Sequence, residues 1–255
     1  MDAVFGQVGI SVGDDHVAVV EIRRPPDNFF DADLISRVAD AYDWLDERAD
    51  VRMIMLCSEG KNFCAGADFS GRHQVGAREL YQAAVRLFQA RLPVVAVVQG
   101  TAVGGGLGLA CSADFRVASP ESRFSANFAR LGLHQGFGLS VTLPGVVGQQ
   151  VAMDMLYSGR RVKGDEALRI GLADRLAPAA ADLRAVARDL AGQIAQSAPL
   201  AVRAIRATLR AGLADRVRQA MDTELTEQGL LWQTADFAEG VRATAERRQP
   251  RFEGR

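Results

Sequence analysis

The apolar run Pro93-Val94-Val95-Ala96-Val97-Val98 leads directly into Gln99-Gly100-Thr101-Ala102-Val103-Gly104-Gly105-Gly106-Leu107-Gly108-Leu109. β-Branched and small apolar residues ending in a glycine cluster predict a buried strand, a tight turn and then a helix. The turn is where chemistry is expected. Gly104, Gly105 and Gly106 carry no Cβ, so a ligand can approach the backbone, and the first N–H groups of a helix starting there lack intrahelical partners. With the positive end of the helix dipole, such donors suit an anion, or a carbonyl oxygen that becomes one during reaction.

Three other uses of a glycine-rich turn can be tested by spacing. A dinucleotide fingerprint needs a third glycine where counting from Gly104 and Gly106 reaches Leu109. A P-loop needs Gly-Lys-Ser/Thr, but the two lysines of the chain are Lys61 and Lys163, both far from the turn. A nucleophile elbow needs serine between two glycines, and none is present here. Glycines that serve only the close packing of helix on strand remain the alternative to a ligand site.

A chain of 255 residues, 48% hydrophobic and 24% charged, can bury a large core. A net charge of −1 gives no reason to expect nucleic acid or an anionic membrane as partner. Cys57, Cys64 and Cys111 form no Cys-x-x-Cys pair, which argues against a disulfide framework or zinc site and for a reducing, cytoplasmic setting. His16, His73 and His134 never fall at metal-ligand spacing, so no metal is expected. The N-terminal stretch reads as no signal peptide, and no run reaches membrane-spanning length.

In chain order, residues 8–22 alternate around Gly13-Asp14-Asp15 and predict a β-hairpin. Asp31 or Asp33 then caps a helix to about residue 48. A buried strand is expected over 51–57, followed by Phe63-Cys64-Ala65-Gly66-Ala67-Asp68-Phe69, small residues at the carboxyl end of a strand, where open α/β sheets place ligands. Residues 70–76 read as a mobile loop, 77–90 as helix, 107–111 as helix, 115–118 as extended and 124–129 as a short strand or loop. Residues 132–138, rich in glycine, form a turn lining a site. Past Pro144 the pattern changes to successive helices, which predicts an α/β first part with an α-helical appendage.

Those pieces resemble the crotonase superfamily, the enoyl-CoA hydratase/isomerase proteins. The resemblance is carried by residues 63–68, 99–106, Ala113-Asp114-Phe115-Arg116, Gly171-Leu172-Ala173-Asp174-Arg175-Leu176, Asp236-Phe237-Ala238-Glu239-Gly240 and Arg248-Gln249-Pro250-Arg251-Phe252. It implies an α/β fold, a crotonase-like spiral of ββα units over residues 1–180 that binds acyl-CoA, with a C-terminal α-helical region, 181–255, used in homo-trimers or dimers of trimers. It also implies an acyl-CoA thioester as ligand, coenzyme A being part of the substrate and no cofactor being permanently bound. By position, the family's oxyanion hole falls on the N–H groups of Ala65 and Gly105. Arg23, Lys61, Cys64, Ala67 and Asp68 are assigned to the coenzyme A side; Phe69, Gly104, Gly108, Phe128, Gly136 and Phe137 to the acyl pocket. His73 and Tyr81 border the loop and helix that roof the site.

The family's acid/base positions carry no acid in this chain. The two hydratase glutamates fall on Gly108 and Phe128, and the later carboxylate of isomerases and dehalogenases on Gly136. Hydration needs one group to activate water and another to protonate the α-carbon. The expectation is therefore an acyl-CoA enzyme that is not a standard hydratase, acting by decarboxylation, isomerisation or thioester hydrolysis, with chemistry that needs few protein acids or uses His134 as a lone acid/base. The alternative is a non-catalytic acyl-CoA-binding protein. A sequence-distant carboxylate, such as Asp33 or Glu79, is a further candidate for the pocket.

Overall fold

Short β-rich segments with alternating burial set the frame. The structure, a computed structural model, describes residues 2–67 and 76–255; Asp68, Phe69, His73 and all but the last residue of the loop expected over 70–76 lie outside the described residues. β1 (Ala3–Phe5), β2 (Val8–Val12) and β3 (Val17–Ile22) form an antiparallel meander. The hairpin turn closes with the Gly13 N–H donating to the Val17 carbonyl at 3.0 Å. β1 was not expected, because three residues are too few to show an alternation.

Asp31 starts α1 (Ala32–Asp46) by accepting the Leu34 N–H at 2.9 Å, satisfying one of the orphan donors of the first turn. β4 (Met53–Ser58) lies parallel to β3. After α2 (Ala77–Gln89), β5 (Val94–Val97) lies parallel to β4. The chain then alternates between two sheets. β6 (Thr101–Val103) joins the smaller one, α3 (Gly105–Ser112) turns the chain back, β7 (Phe115–Ala118) returns beside β5, and β8 (Arg123–Ser125) pairs in parallel with β6. A 3-10 turn at Asn127–Leu131 leads to α4 (Leu139–Val147) and α5 (Gln149–Ser158). β9 (Arg161–Lys163) closes the small sheet against β8, and after α6 (Gly164–Arg169) β10 (Arg175–Leu176) ends the large one beside β7. The large sheet runs β1-β2-β3-β4-β5-β7-β10 and the small one β6-β8-β9. This repeated crossing is the spiral that the resemblance implies.

Helices α7 (Leu183–Ala195), α8 (Pro199–Leu209), α9 (Leu213–Leu231) and α10 (Ala235–Ala245) complete the chain. The change to helices does not begin at Pro144, which sits inside α4, and the short β9 and β10 interrupt it.

The period of two within β4 divides its side chains between two cores. Ile54 and Leu56 join the large cluster with α1 and α3 residues, whereas Met53, Met55 and Cys57 face Leu183, Ala187, Leu190 and Ala191 of α7. α9 packs on α2 and α4. Thus α7 and α9 belong to the packing of the first 180 residues, while α8 turns Leu200, Ile205 and Leu209 outward. Among the described residues, no helix is long and apolar enough to cross a membrane.

Leu190→Ala is expected to lower unfolding free energy by about 2–5 kcal/mol, the usual cost of emptying a buried leucine site. Denaturant unfolding of the isolated chain measures it. An unchanged midpoint would place α7 outside the core.

Candidate active site

The β6–α3 turn positions the first donor. Gly104, in a left-handed conformation with φ 56°, gives its N–H to the Ser125 carbonyl at 2.8 Å, while its own carbonyl accepts from Leu107 and Gly108. Gly105 opens α3, and its N–H has no acceptor among the described residues. Across from it runs the segment after β4. There the Ala65 N–H donates to the Asp27 carbonyl at 2.9 Å. That donor is spent, so the assignment of Ala65 to an oxyanion hole is corrected. Two residues on, Phe30 pairs in parallel with Ala67 by donating its N–H to the Gly66 carbonyl at 3.0 Å. A residue bridged this way turns its own N–H away from the partner strand. Ala67 and Gly105 both line one cavity, and the Ala67 N–H has no acceptor among the described residues.

The cavity measures about 490 Å³ and is walled mainly by Phe30, Leu80, Tyr81, Phe128, Leu131, Leu133, Phe137 and Trp232. Phe30 and Phe137 meet edge to face, with ring centroids 5.4 Å apart, a favoured aromatic geometry. This pair explains two glycines. A Cβ on Gly105 would clash with the Phe30 ring, and one on Gly108 would lie 2.6 Å from the Phe137 Cβ. Gly108, where the resemblance leads us to expect the first hydratase acid, is thus closed by an aromatic side chain. Phe128 lines the cavity itself and presents a ring to it.

Gly136 faces Tyr81 and Gln228. A Cβ there would overlap the Tyr81 hydroxyl and stand 2.7 Å from Gln228 Nε2. Tyr81 Oη donates to Gln228 Oε1 at 3.1 Å, and Gln228 Nε2 donates to the His134 carbonyl at 3.0 Å. Burial, reinforced by the charge of Glu224, pushes the Tyr81 pKa up, so its hydroxyl stays neutral. Glu224, from the same helix as Gln228, accepts the N–H groups of Gly138 and Ser140 and the Ser140 hydroxyl. It caps α4 from a distance of more than 80 residues in sequence. Desolvation outweighs these donors and raises its pKa.

His134 is half-buried and is not among the residues lining the cavity. Its Nδ1 lies 2.8 Å from the Gln135 carbonyl, so its placement serves the loop. Gly104 and Gly136 line the cavity with Ala67, Phe128 and Phe137; Gly108 lies behind Phe137. Cys64 is fully buried outside that lining, and desolvation pushes its thiol up to about 12. Arg23 pairs with Glu21 and Glu59, and Lys61 is exposed; neither lines the cavity. Asp33 does line it but is exposed and paired with Arg37 at 3.2 Å, while Glu79 is exposed elsewhere on α2. Asp31, the other carboxylate in the lining, remains largely ionised: burial opposes this, but the Leu34 N–H and Arg24 outweigh it. Among the described residues, no group of three His, Cys, Asp or Glu could hold a metal ion.

The model of the family "Enoyl-CoA hydratase/isomerase" matches residues 13–255. The chain belongs to the enoyl-CoA hydratase/isomerase family. It is similar to a crotonyl-CoA hydratase of Syntrophomonas wolfei, 33% identical over 248 residues that cover 94% of this chain and 95% of that protein. A putative enoyl-CoA hydratase of Thermus thermophilus is 34% identical, covering 95% of this chain and all of its own length, 100%. Among solved structures, an enoyl-CoA hydratase/isomerase from Pseudoalteromonas atlantica superposes with a TM-score of 0.86 at 28% identity, covering 97% of this chain and 100% of that one. Within the enoyl-CoA hydratase/isomerase family fold, this chain carries a cavity lined by Phe128 and Gly136, with Gly108 behind Phe137.

Sequence reasoning did not single out Phe30, Gln228, Trp232 or Asn127, all of which line the cavity. Gln228 and Trp232 stand four residues apart on α9 and its C-cap. That spacing puts two side chains on one helix face, a signal available in the sequence, yet nothing there says which face meets the cavity.

Gly108→Ala separates propensity from packing. In a helix interior the change alone favours stability by roughly 0.5–1 kcal/mol, whereas overpacking against Phe137 costs about 1–3 kcal/mol. Net destabilisation is expected in the wild-type background and stabilisation in a Phe137→Ala background, read by thermal unfolding. The same sign in both backgrounds would show that Phe137 does not close the position.

Proposed function

We propose that this chain is an acyl-CoA enzyme that polarises the thioester carbonyl with the N–H groups of Ala67 and Gly105 and forms an enolate without a protein base. The observation that carries this reading is Phe137, backed edge to face by Phe30; the Phe137 Cβ lies 2.6 Å from where a side chain on Gly108 would begin. The cavity-lining carboxylates, Asp31 and Asp33, are 54% and 63% exposed in their side chains and engaged by Arg24 and Arg37.

A malonyl-type thioester fits this equipment best. Its carboxylate, placed among aromatic walls, loses hydration that stabilises it. The bond from the α-carbon to the carboxylate breaks, carbon dioxide leaves, and the electron pair enters the thioester as an enolate. Two backbone amides receive the negative oxygen; each such donor is worth on the order of 10²–10³ in rate in other enzymes. Water then protonates the α-carbon, and the hydroxide left combines with the departing carbon dioxide as bicarbonate. No step needs an acid at positions 108, 128 or 136. The hydratase names of the relatives describe reactions that require such groups.

The helical region supports assembly as well as packing. Leu200, Ile205 and Leu209 of α8 are 79%, 59% and 80% exposed, apolar surface suited to burial between copies. A homo-trimer or dimer of trimers is the arrangement proposed.

Mass-spectrometric turnover of enoyl-, 3-hydroxyacyl-, malonyl-type and aromatic thioesters of coenzyme A tests the reading. Loss of carbon dioxide from a malonyl-type thioester is expected, with crotonyl-CoA hydrated at least about 10³-fold more slowly than by an enzyme holding both acids. His134→Ala is expected to retain turnover, because its ring serves the loop. Rapid crotonyl-CoA hydration would contradict the proposal. Binding of every thioester with turnover of none would establish the alternative, a non-catalytic acyl-CoA-binding protein.

A further inference from the structure

A surface helix ordinarily buries an apolar stripe, but α8 does the reverse. Its one buried residue is Arg206, while Leu200, Ile205 and Leu209 point outward. Arg206 and Arg210, the C-cap of α8, reach the carboxylate of Asp114: Arg206 Nε donates to Oδ2 at 2.9 Å and Arg210 Nη1 to Oδ1 at 2.7 Å. Arg210 Nη2 also donates to the Ser112 carbonyl at 2.9 Å, and Arg206 Nη1 to the Ala90 carbonyl. Replacing a buried ion pair by apolar side chains is often neutral or stabilising, and here Arg206 Nη2 and Arg210 Nε are sealed without an acceptor among the described residues. What a guanidinium supplies that a leucine does not is direction, because its donors lie in one rigid plane.

Both targets belong to the segment that carries the Gly105 amide. The chain leaves Val94 as β5, turns at Gly104 and comes back along α3 to Asp114, whose N–H donates to the Val94 carbonyl at 2.9 Å and whose Oδ2 accepts the Val94 N–H at 2.8 Å. The arginines therefore hold the base of this segment. Gly105 stands at its tip, about 10 Å away along the helix axis. At that tip the Gly104 N–H, on the Ser125 carbonyl, fixes one point of the helix; fixing its direction takes a second point. The side chains of α3 are small or apolar, and Ser112 Oγ turns back to the Leu109 carbonyl at 2.7 Å, so they offer apolar packing, which has no direction. The carbonyl end of a helix favours cations. α3 has none in its own last turn, and Arg210 provides one from 98 residues away in the chain.

We propose that Arg206 and Arg210 are positioning residues for the Gly105 amide: by gripping Asp114 and the Ser112 carbonyl they set the axis of α3, and so the direction in which its first N–H enters the cavity. The inference rests on the reading that this N–H polarises a thioester carbonyl, and extends that machinery to a helix none of whose residues line the cavity.

Hexanoyl-CoA labelled with carbon-13 at the thioester carbonyl, bound at saturation to folded wild type, Arg210→Met, Arg210→Lys and Leu190→Ala, tests it through the infrared shift of that carbonyl. In Arg210→Met the shift is expected to shrink to about half, one of two donors being misaligned. Arg210→Lys keeps the charge but loses the planar pair of donors, and is expected to fall between Arg210→Met and wild type. Leu190→Ala, which loosens the other core, is expected to leave the shift unchanged. A wild-type shift in Arg210→Met, or an equal loss in Leu190→Ala, would overturn the inference and leave the acyl-CoA reading standing; should Arg210→Met not fold, a wild-type shift in Arg210→Lys would overturn it. No shift in wild type itself would bring down both.

Discussion

The structure depends on one constraint: backbone amides at two glycine- and alanine-rich turns border a single cavity without an acceptor among the described residues. A helix start leaves its first N–H groups without partners, and the β6–α3 turn uses this at Gly105. The opposite turn reaches the same result by strand pairing. Phe30 takes up the Gly66 carbonyl and leaves the Ala67 N–H facing the cavity, while Asp27 absorbs the Ala65 donor. The alternation of strands between two sheets brings these turns together, and α7 locks the large sheet from its other face.

The aromatic pair shapes the cavity that the amides border. Phe30 stands against Gly105 and Phe137 against Gly108, leaving neither position room for a side chain. Phe137 holds φ 60°, a conformation uncommon for residues other than glycine. Its neighbours keep it there: Glu224 secures the amides of Gly138 and Ser140, and Gln228 secures the His134 carbonyl. α9 thereby fixes the loop of residues 132–138 and supplies part of the cavity wall. The helical end of the chain is built into the site.

Much of this was legible in the sequence because it is local. The hairpin before residue 22, the Asp31 cap, the buried strands at β4 and β5, and the turn into α3 each follow from period, capping or glycine content. Order of motifs was enough for the family. The missed features depend on contacts between distant segments. Whether Ala65 or Ala67 offers its N–H is decided by Asp27 and Phe30, which the motif at 63–68 does not contain. His134 looked like an acid/base because it lies in the right loop, but a loop residue's direction depends on what holds its backbone, here Gln228. Short strands such as β1, β9 and β10 carry too few residues to show a period.

The most direct measurement is the infrared carbonyl stretch of an acyl-CoA labelled with carbon-13 at the thioester carbonyl, recorded free and bound at saturation. Two amides donating to that oxygen weaken the double bond, so the bound band is predicted at lower wavenumber than the free one. A bound band at the free position would show that the carbonyl does not lie between Ala67 and Gly105, and would contradict the account at its centre.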